Sequence, residues 1–187
     1  MSIVVAVKKD NKTVLVADSQ VTFGSMSFPG SNLKVEKIRK IGESYFSSTG
    51  WGLYDDIIDN YLKDQPDVEL LDRSAIFEFF LGLWKALHDK YNFVNDQSDS
   101  DHESPFGDLD ATFLVVNKTG IFLIDSDLSI TQFEQYYAIG SGSDYSLGVI
   151  HTLYNENLDA TEIAKKAVET AIAFDTKCGG DIMVCDI

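Results

Sequence analysis

Two short apolar runs separated by a polar turn open the chain and predict a β-hairpin. The runs, residues 3–7 and 13–18, are rich in β-branched side chains, and the segment Lys9-Asp10-Asn11-Lys12 between them favours a tight turn. Consecutive rather than alternate positions are apolar in both runs. Such runs are typical of strands that are buried on both faces of a sheet.

The rest of the pattern alternates groups of strands with pairs of helices. β-Branched and aromatic runs predict further strands at residues 33–41, 44–48, 111–117, 121–125, 136–139 and 181–186. Apolar residues at helical spacing predict helices at 52–62, 74–91, 143–154 and 161–174, the last opened by a capping box of Asp159 and Glu162. Two sheets face to face between helix pairs satisfy this order. We therefore expect one α+β domain, residues 1–187, built as a four-layer αββα sandwich with two antiparallel sheets.

The charge of the chain narrows the classes of partner. Its 187 residues include 30 acidic and 15 basic side chains, which give a formal net charge of −15. Phosphate binding needs clustered lysine and arginine, so we expect no nucleic acid and no membrane partner. No apolar run approaches the roughly 18 residues of a membrane-spanning helix, and the first run is too short for a signal peptide. We expect a cytoplasmic protein, and its two cysteines, Cys178 and Cys185, suit a reducing compartment.

The sequence lacks the common motifs of metal, cofactor and phosphate chemistry. His88, His102 and His151 do not have HExxH spacing, and there is neither a GxSxG elbow nor a phosphate-binding loop. The acidic stretch at residues 95–110, NDQSDSDHESPFGDLD, lacks the glycine and the closing glutamate of an EF-hand, which favours a solvated loop over a metal site. The sequence therefore predicts no cofactor and no metal.

The hairpin brings an acid close to the serine that follows the first methionine. A two-residue loop at Asp10-Asn11 places Asp18 opposite Ile3, whereas a three-residue loop places it opposite Ser2. Either register puts the carboxylate within one residue of the serine. A charge that closes so apolar a strand needs a partner, and Lys34 is the nearest plausible one in sequence.

These residues contain the parts of an activated nucleophile. If Met1 is removed, Ser2 carries both a hydroxyl and a free α-amine, whose ordinary pKa of about 7.7–8.0 lets it act as a base without a histidine. A nearby Lys34 would favour the reactive form of Ser2, with Asp18 holding the lysine in place. The alternative stays open, because serine follows methionine in many proteins and an aspartate at a strand end is commonly a turn residue.

The segments VLVADSQVTFG and NLKVEKIRKI carry a resemblance to a known family. They resemble the second strand and a lysine segment of the proteasome β-subunit family of N-terminal nucleophile hydrolases, and most closely of its bacterial HslV-type peptidases. The resemblance places Asp18 on the acid of the family and, without a gap from Ser2, Lys34 on its lysine. Ser2 stands where the family has a threonine, which keeps the hydroxyl and the amine but loses the methyl group that restricts the rotamer.

Two late segments and one turn extend the resemblance. AIGSGSDYS places Ser141 on the serine that supports the amine of the nucleophile. FDTKCGGDIMV places Asp175 on a late acid and Cys178 where a serine is usual. The turn SSTGWG implies that Gly50 supplies a backbone N–H to the oxyanion, and Trp51 beside it is read either as part of the specificity pocket or as a core residue.

The resemblance implies an αββα fold, hydrolysis of peptide bonds in polypeptide substrates at the N-terminal residue, and a homo-oligomeric double ring around a chamber. In that family an ATP-dependent unfoldase ring commonly feeds the chamber. Two other functions remain open: a catalytically silent ring subunit, and an N-terminal nucleophile amidase that acts on a small molecule.

Overall fold

The computed structural model describes residues 2–23, 26–28, 34, 36–91 and 109–187. The four helices are α1 (Leu53–Lys63), α2 (Arg73–Asp89), α3 (Ser143–Leu153) and α4 (Ala160–Phe174). The strands are β1 (Ile3–Lys9), β2 (Lys12–Asp18), β3 (Val21–Phe23), β4 (Met26–Phe28), β5 (Ile38–Ile41), β6 (Ser44–Gly50), β7 (Ala111–Asn117), β8 (Gly120–Ile124), β9 (Ile130–Phe133), β10 (Tyr136–Gly140) and β11 (Ile182–Asp186).

The strands form two antiparallel sheets and a short hairpin. One sheet has the order β10-β1-β2-β11, the other has the order β5-β6-β7-β8-β9, and β3 pairs with β4. At the first hairpin Lys9 pairs with Lys12, so the loop is the two-residue Asp10-Asn11 form. Both loop residues have positive φ, 51° and 63°, as a type I′ turn requires. This register ends β2 at Asp18, beside the start of β1.

Three apolar layers hold the sheets and helices together. The faces of the two sheets pack against each other through residues such as Val4, Leu15 and Leu114. Helices α1 and α2 cover the five-stranded sheet with aromatic side chains, Phe79 and Phe80 among them, whereas α3 and α4 cover the four-stranded sheet mainly with alanine, valine and isoleucine. The predicted four-layer αββα sandwich is confirmed, and the consecutive burial of β1 and β2 follows from their place between two layers.

Most predicted elements lie within two residues of their observed bounds, and the capping box of Asp159 and Glu162 is present. The largest error is the strand expected at residues 33–41, because the observed β5 begins only at Ile38. The prediction also missed the short strands β3, β4 and β9. Most of the acidic stretch at residues 95–110 lies outside the described residues, as does Met1. Within the described ranges, no helix is long and apolar enough to cross a membrane.

Candidate active site

Ser2 and Asp18 meet where the first two strands begin and end. Ser2 immediately precedes β1 and is only 5% exposed, and its Oγ donates to Asp18 Oδ1 at 2.8 Å. Asp18 Oδ1 also accepts a hydrogen bond of 3.1 Å from the backbone N–H of Ile3. The two-residue turn fixes this arrangement, because it sets the register that brings the end of β2 beside the start of β1. The predicted juxtaposition of serine and carboxylate is confirmed.

The lysine that completes this group is Lys37, so the prediction of Lys34 is wrong. Lys37 Nζ donates to Ser2 Oγ, to Asp18 Oδ1 at 2.7 Å and to the carbonyl of Gln20 at 2.7 Å. An ammonium group has three donors, and each has an acceptor here. Lys34 is exposed and lies three residues before Lys37 in the sequence. The ungapped register from Ser2 pointed to Lys34, whereas the lysine in contact with Ser2 and Asp18 is Lys37.

The start of β5 explains why Lys37 is the residue that reaches Ser2. Lys37 directly precedes this strand, and its carbonyl accepts a hydrogen bond of 2.6 Å from Ser47 Oγ on the neighbouring β6. Its side chain is 12% exposed, and that of Asp18 is fully buried. A buried ion pair is stable only when its remaining hydrogen-bonding groups are satisfied, and the contacts described here meet that condition.

The turn before β11 donates a hydrogen bond to the second carboxylate oxygen of Asp18. The backbone N–H of Gly179 donates to Oδ2 at 2.9 Å, and the carbonyl of Gly179 accepts the N–H of Gln20 at 2.9 Å. Strand β11 brings this segment to β2, since Ile182 pairs with Asp18. Gly180 has φ +74°, and a Cβ there would clash with Ser19 Oγ, so the turn requires glycine.

Ser141, Asp175 and Cys178 form a second cluster next to the first. Cys178 Sγ donates to Asp175 Oδ2 at 3.4 Å, and the Ser141 side chain hydrogen-bonds with both residues. Burial, with the charges of Asp18 and Asp175, raises the pKa of the Cys178 thiol to about 12. Burial also acts to raise the pKa of Asp175, but hydrogen bonds from Ser141, the Lys177 N–H and Cys178 outweigh it and hold that pKa below its usual value. The thiol is therefore neutral at physiological pH.

A cleft of about 120 Å³ opens beside Ser2. Gly50, at the end of β6, lines it, and its φ of +142° and the nearby carbonyl of Asp110 leave no space for a side chain. Trp51 also lines the cleft and is 71% exposed, so its interpretation as a core residue is wrong. The rest of the wall comes from Ser2, Lys37, Asp55 and residues 20–22, 48–49 and 52.

The described residues contain no group of three or more histidine, cysteine, aspartate or glutamate side chains placed to hold a metal ion. Of the histidines in these ranges, His151 Nδ1 lies 3.1 Å from the Tyr136 hydroxyl and His88 Nδ1 lies 2.9 Å from the Trp84 carbonyl. Neither histidine lines the cleft beside Ser2.

Comparison with known proteins assigns the family. A family model described as "Proteasome subunit" matches residues 91–187. The ATP-dependent protease subunit HslV of Petrotoga mobilis is 31% identical over 172 residues, which cover 90% of this chain and 86% of the relative. This chain belongs to the proteasome family. The HslV subunit of Caldicellulosiruptor saccharolyticus is 27% identical and covers 98% of the chain and 97% of its own length.

Solved structures agree with this assignment to the proteasome family. BPH from Thiobacillus denitrificans, solved in complex with epoxomicin, has a TM-score of 0.88 and 26% identity, with 99% of this chain and 97% of that chain covered. HslV from Trypanosoma brucei has a TM-score of 0.71 with 98% of each chain covered, and at 21% identity it shows the fold alone.

The residues suggested by the proteasome resemblance fall into three places in the structure. Ser2 and Asp18 are in direct contact, Gly50 lies on the cleft wall, and the late cluster of Ser141, Asp175 and Cys178 reaches Asp18 through Gly179. Sequence reasoning missed Lys37, Gly179 and Asp55. The sequence carried no signal for Lys37: lysines recur at 34, 37 and 40, and each of them is directly followed by a β-branched residue, so the choice depends on where β5 begins.

Proposed function

We propose that this chain is a proteasome-family peptidase subunit of the HslV type, which cleaves peptide bonds with Ser2 as nucleophile after removal of Met1. One observation carries the proposal. The Ser2 hydroxyl lies between the carboxylate of Asp18 and the ammonium of Lys37, at the wall of a cleft that a substrate could enter. The Lys37 ammonium, held in place by Asp18, favours the developing negative charge on Oγ, which is what an attacking hydroxyl needs.

The chemistry proceeds in two steps. With Met1 gone, the α-amine of Ser2 takes the hydroxyl proton, directly or through a water molecule, while Oγ attacks the carbonyl carbon of the scissile bond. The new ester forms as the C–N bond breaks, and the amine returns its proton to the leaving nitrogen. Water then hydrolyses the ester and restores the Ser2 hydroxyl. In this proposal Lys37 stabilises Oγ during the attack, and the Gly50 N–H stabilises the oxyanion.

The second cluster is assigned a supporting role in the same reaction. Ser141, Asp175 and Cys178 position the Ser2 amine indirectly, through Gly179 and Asp18, with Cys178 replacing a hydroxyl by a weaker hydrogen-bonding thiol. Because Cys178 remains a neutral thiol near pH 7, it acts as a hydrogen-bonding group and not as a second nucleophile.

The relatives also suggest the setting in which this subunit works. The names of the curated relatives describe an ATP-dependent protease subunit. We infer polypeptide substrates, a homo-oligomeric double ring, an ATP-dependent unfoldase ring as partner, and a cytoplasmic location. The fold supplies two outer helix layers through which such subunits could contact one another.

The decisive experiment compares peptide hydrolysis by the wild-type protein, Ser2→Ala and Ser2→Thr, with the first residue of each purified chain read by mass spectrometry. We expect wild-type chains that begin at Ser2 to cleave peptides, Ser2→Ala to lose cleavage while keeping its particle size, and Ser2→Thr to retain cleavage because it keeps the hydroxyl and the amine. Persistent cleavage by Ser2→Ala would contradict the proposal.

Two other results would identify the competing functions. Uniform retention of Met1, together with a double ring that cleaves nothing, would favour a catalytically silent subunit. A monomer or dimer by light scattering, active on small amides, would favour an N-terminal nucleophile amidase, because a chamber protease depends on a closed assembly.

A further inference from the structure

We propose that the cleft beside Ser2 selects a basic side chain, lysine or arginine, on the residue whose carbonyl is attacked, and that Asp55 recognises its charge. This inference rests on the proposed peptidase function. It comes from the charge and shape of the part of the cleft wall that the end of β6 and the first turn of α1 form.

Asp55 presents a carboxylate that is only partly used by the protein. Its side chain is 42% exposed and lines the cleft with Ser2. Oδ1 accepts from Ser48 Oγ at 2.6 Å and from Arg39 Nη1 at 3.2 Å. Among the residues that the structure describes, both contacts are made to Oδ1, which leaves Oδ2 to accept from a ligand. The two contacts fix the orientation of the carboxylate, so the site for a cation is preorganised.

Arg39 does not cancel the negative charge of this wall. Its side chain is 15% exposed, it is absent from the cleft lining, and its Nε donates to Asp59 Oδ1 at 2.7 Å. One guanidinium therefore pairs with two carboxylates, so Arg39, Asp55 and Asp59 together carry a net negative charge. The lysine that lines the cleft, Lys37, is balanced by Asp18, with which it forms a buried ion pair. The charge available to a substrate side chain is therefore negative.

The remaining wall suits the apolar part of a long basic side chain. Trp51 is 71% exposed at the cleft and offers a large aromatic face. Lysine and arginine carry an aliphatic stem below a charged head, and both heads are attracted to the face of an indole ring. The formal net charge of −15 also raises the local concentration of cationic peptides around the protein.

The test measures kcat/KM for fluorogenic peptide amides that differ only in the residue before the scissile bond: arginine, lysine, leucine or glutamate. Wild-type enzyme that begins at Ser2 should prefer arginine and lysine to leucine, with glutamate poorest. Asp55→Asn should lower the arginine-to-leucine ratio by roughly 10- to 100-fold, the value of one charged hydrogen bond. Asp59→Asn is the matched control. Asp59 also accepts a hydrogen bond from Arg39 but does not line the cleft, so this variant should keep the arginine-to-leucine ratio.

The outcomes separate this inference from the function on which it rests. A wild-type preference for leucine or glutamate, or an unchanged ratio in a folded Asp55→Asn enzyme, overturns the inference while the peptidase function stands. The wild-type ranking needs no variant, so the test decides even if Asp55→Asn fails to fold. If chains beginning at Ser2 cleave none of the four peptides, the peptidase function fails and this inference fails with it.

Discussion

The two polar clusters next to Ser2 differ in charge, burial and hydrogen bonding. In the first, Asp18 is fully buried and accepts from Ser2 Oγ, from Lys37 Nζ and from two backbone N–H groups. In the second, Asp175 is half-buried, and it is linked to Cys178 by a sulfur contact of 3.4 Å. The first cluster is an ion pair in direct contact with Ser2 Oγ, whereas the second reaches the first through the backbone of Gly179.

This difference separates two kinds of contribution. The first cluster joins the start of β1, the end of β2, the residue before β5 and the turn at Gly179, so it holds distant parts of the chain together as well as touching Ser2 Oγ, the proposed reacting atom. The second cluster closes a local turn after α4, in which the Cys178 N–H donates to the Asp175 carbonyl at 3.0 Å. We therefore expect large losses of activity and stability from changes in the first cluster and small ones from changes in the second.

The largest effect is expected from Lys37→Ala. In the proposed mechanism the ammonium stabilises Ser2 Oγ during the attack, so its loss should lower kcat/KM for peptides by about 100- to 10,000-fold. Lys34→Ala, at the exposed lysine three residues earlier, is the control and should retain wild-type activity. Lys37→Arg keeps the charge beside Asp18 but presents a planar fork, so it should fold and still lose most activity. A larger loss in Lys34→Ala than in Lys37→Ala would reverse the comparison.

The second-largest effect is expected on the stability of the Asp18→Asn variant. Removing the charge leaves Lys37 buried without its partner, and breaking a buried pair costs about 3 kcal/mol or more in the free energy of unfolding. Asp186→Asn is the matched control, because Asp186 pairs with Lys12 at 3.3 Å on the surface and is 65% exposed. Exposed pairs contribute little, so this variant should unfold close to wild type in denaturant titrations. Equal destabilisation in both variants would contradict the special role of the first cluster.

Much of the fold and part of the first cluster could be predicted from sequence, because short-range patterns determine them. Consecutive apolar residues in β1 and β2 indicated double burial, and the Asp10-Asn11 turn limited the register to two choices, both of which brought Asp18 to Ser2. Lys37 could not be chosen from such patterns. Lys37 reaches Ser2 because β5 begins directly after it and because Ser47 Oγ donates a hydrogen bond to its carbonyl. Both features belong to the tertiary structure.

The short strands and the cleft wall were missed for a similar reason. Strand β9 has only four residues, with two exposed side chains, so it carries little apolar signal. Asp55 looks like an ordinary acidic residue in the first turn of a helix, and only the packing of α1 against β6 brings it to Ser48 and to the cleft. Residues that act together across elements give no signal at fixed sequence spacing.

The pH dependence of stability tests the burial of the second cluster. The pKa of Cys178 is raised from about 9 in the unfolded chain to about 12 in the fold, so the neutral thiol stabilises the fold below pH 9 and this contribution is lost as pH rises toward 12. Between pH 8 and about pH 10.5, wild type should lose about 2 kcal/mol of unfolding free energy that Cys178→Ser does not lose. Parallel pH profiles for the two proteins would show that the thiol is not buried beside the carboxylates.

The smallest effect is expected on the catalytic activity of the Cys178→Ser variant. Cys178→Ser replaces a weak donor by a stronger one at a position where the thiol is 4% exposed and contacts Asp175, not Ser2. Among the described residues, the backbone of Gly179 and the carboxylate of Asp18 connect Cys178 to Ser2, so we expect kcat/KM to change by about threefold or less, with an unchanged pH profile near neutrality. The control is Cys185→Ser, at the half-buried cysteine on β11, which should leave kcat/KM at the wild-type value. A change of a hundredfold in Cys178→Ser would place the second cluster in direct contact with the reacting groups and remove the distinction between the two clusters.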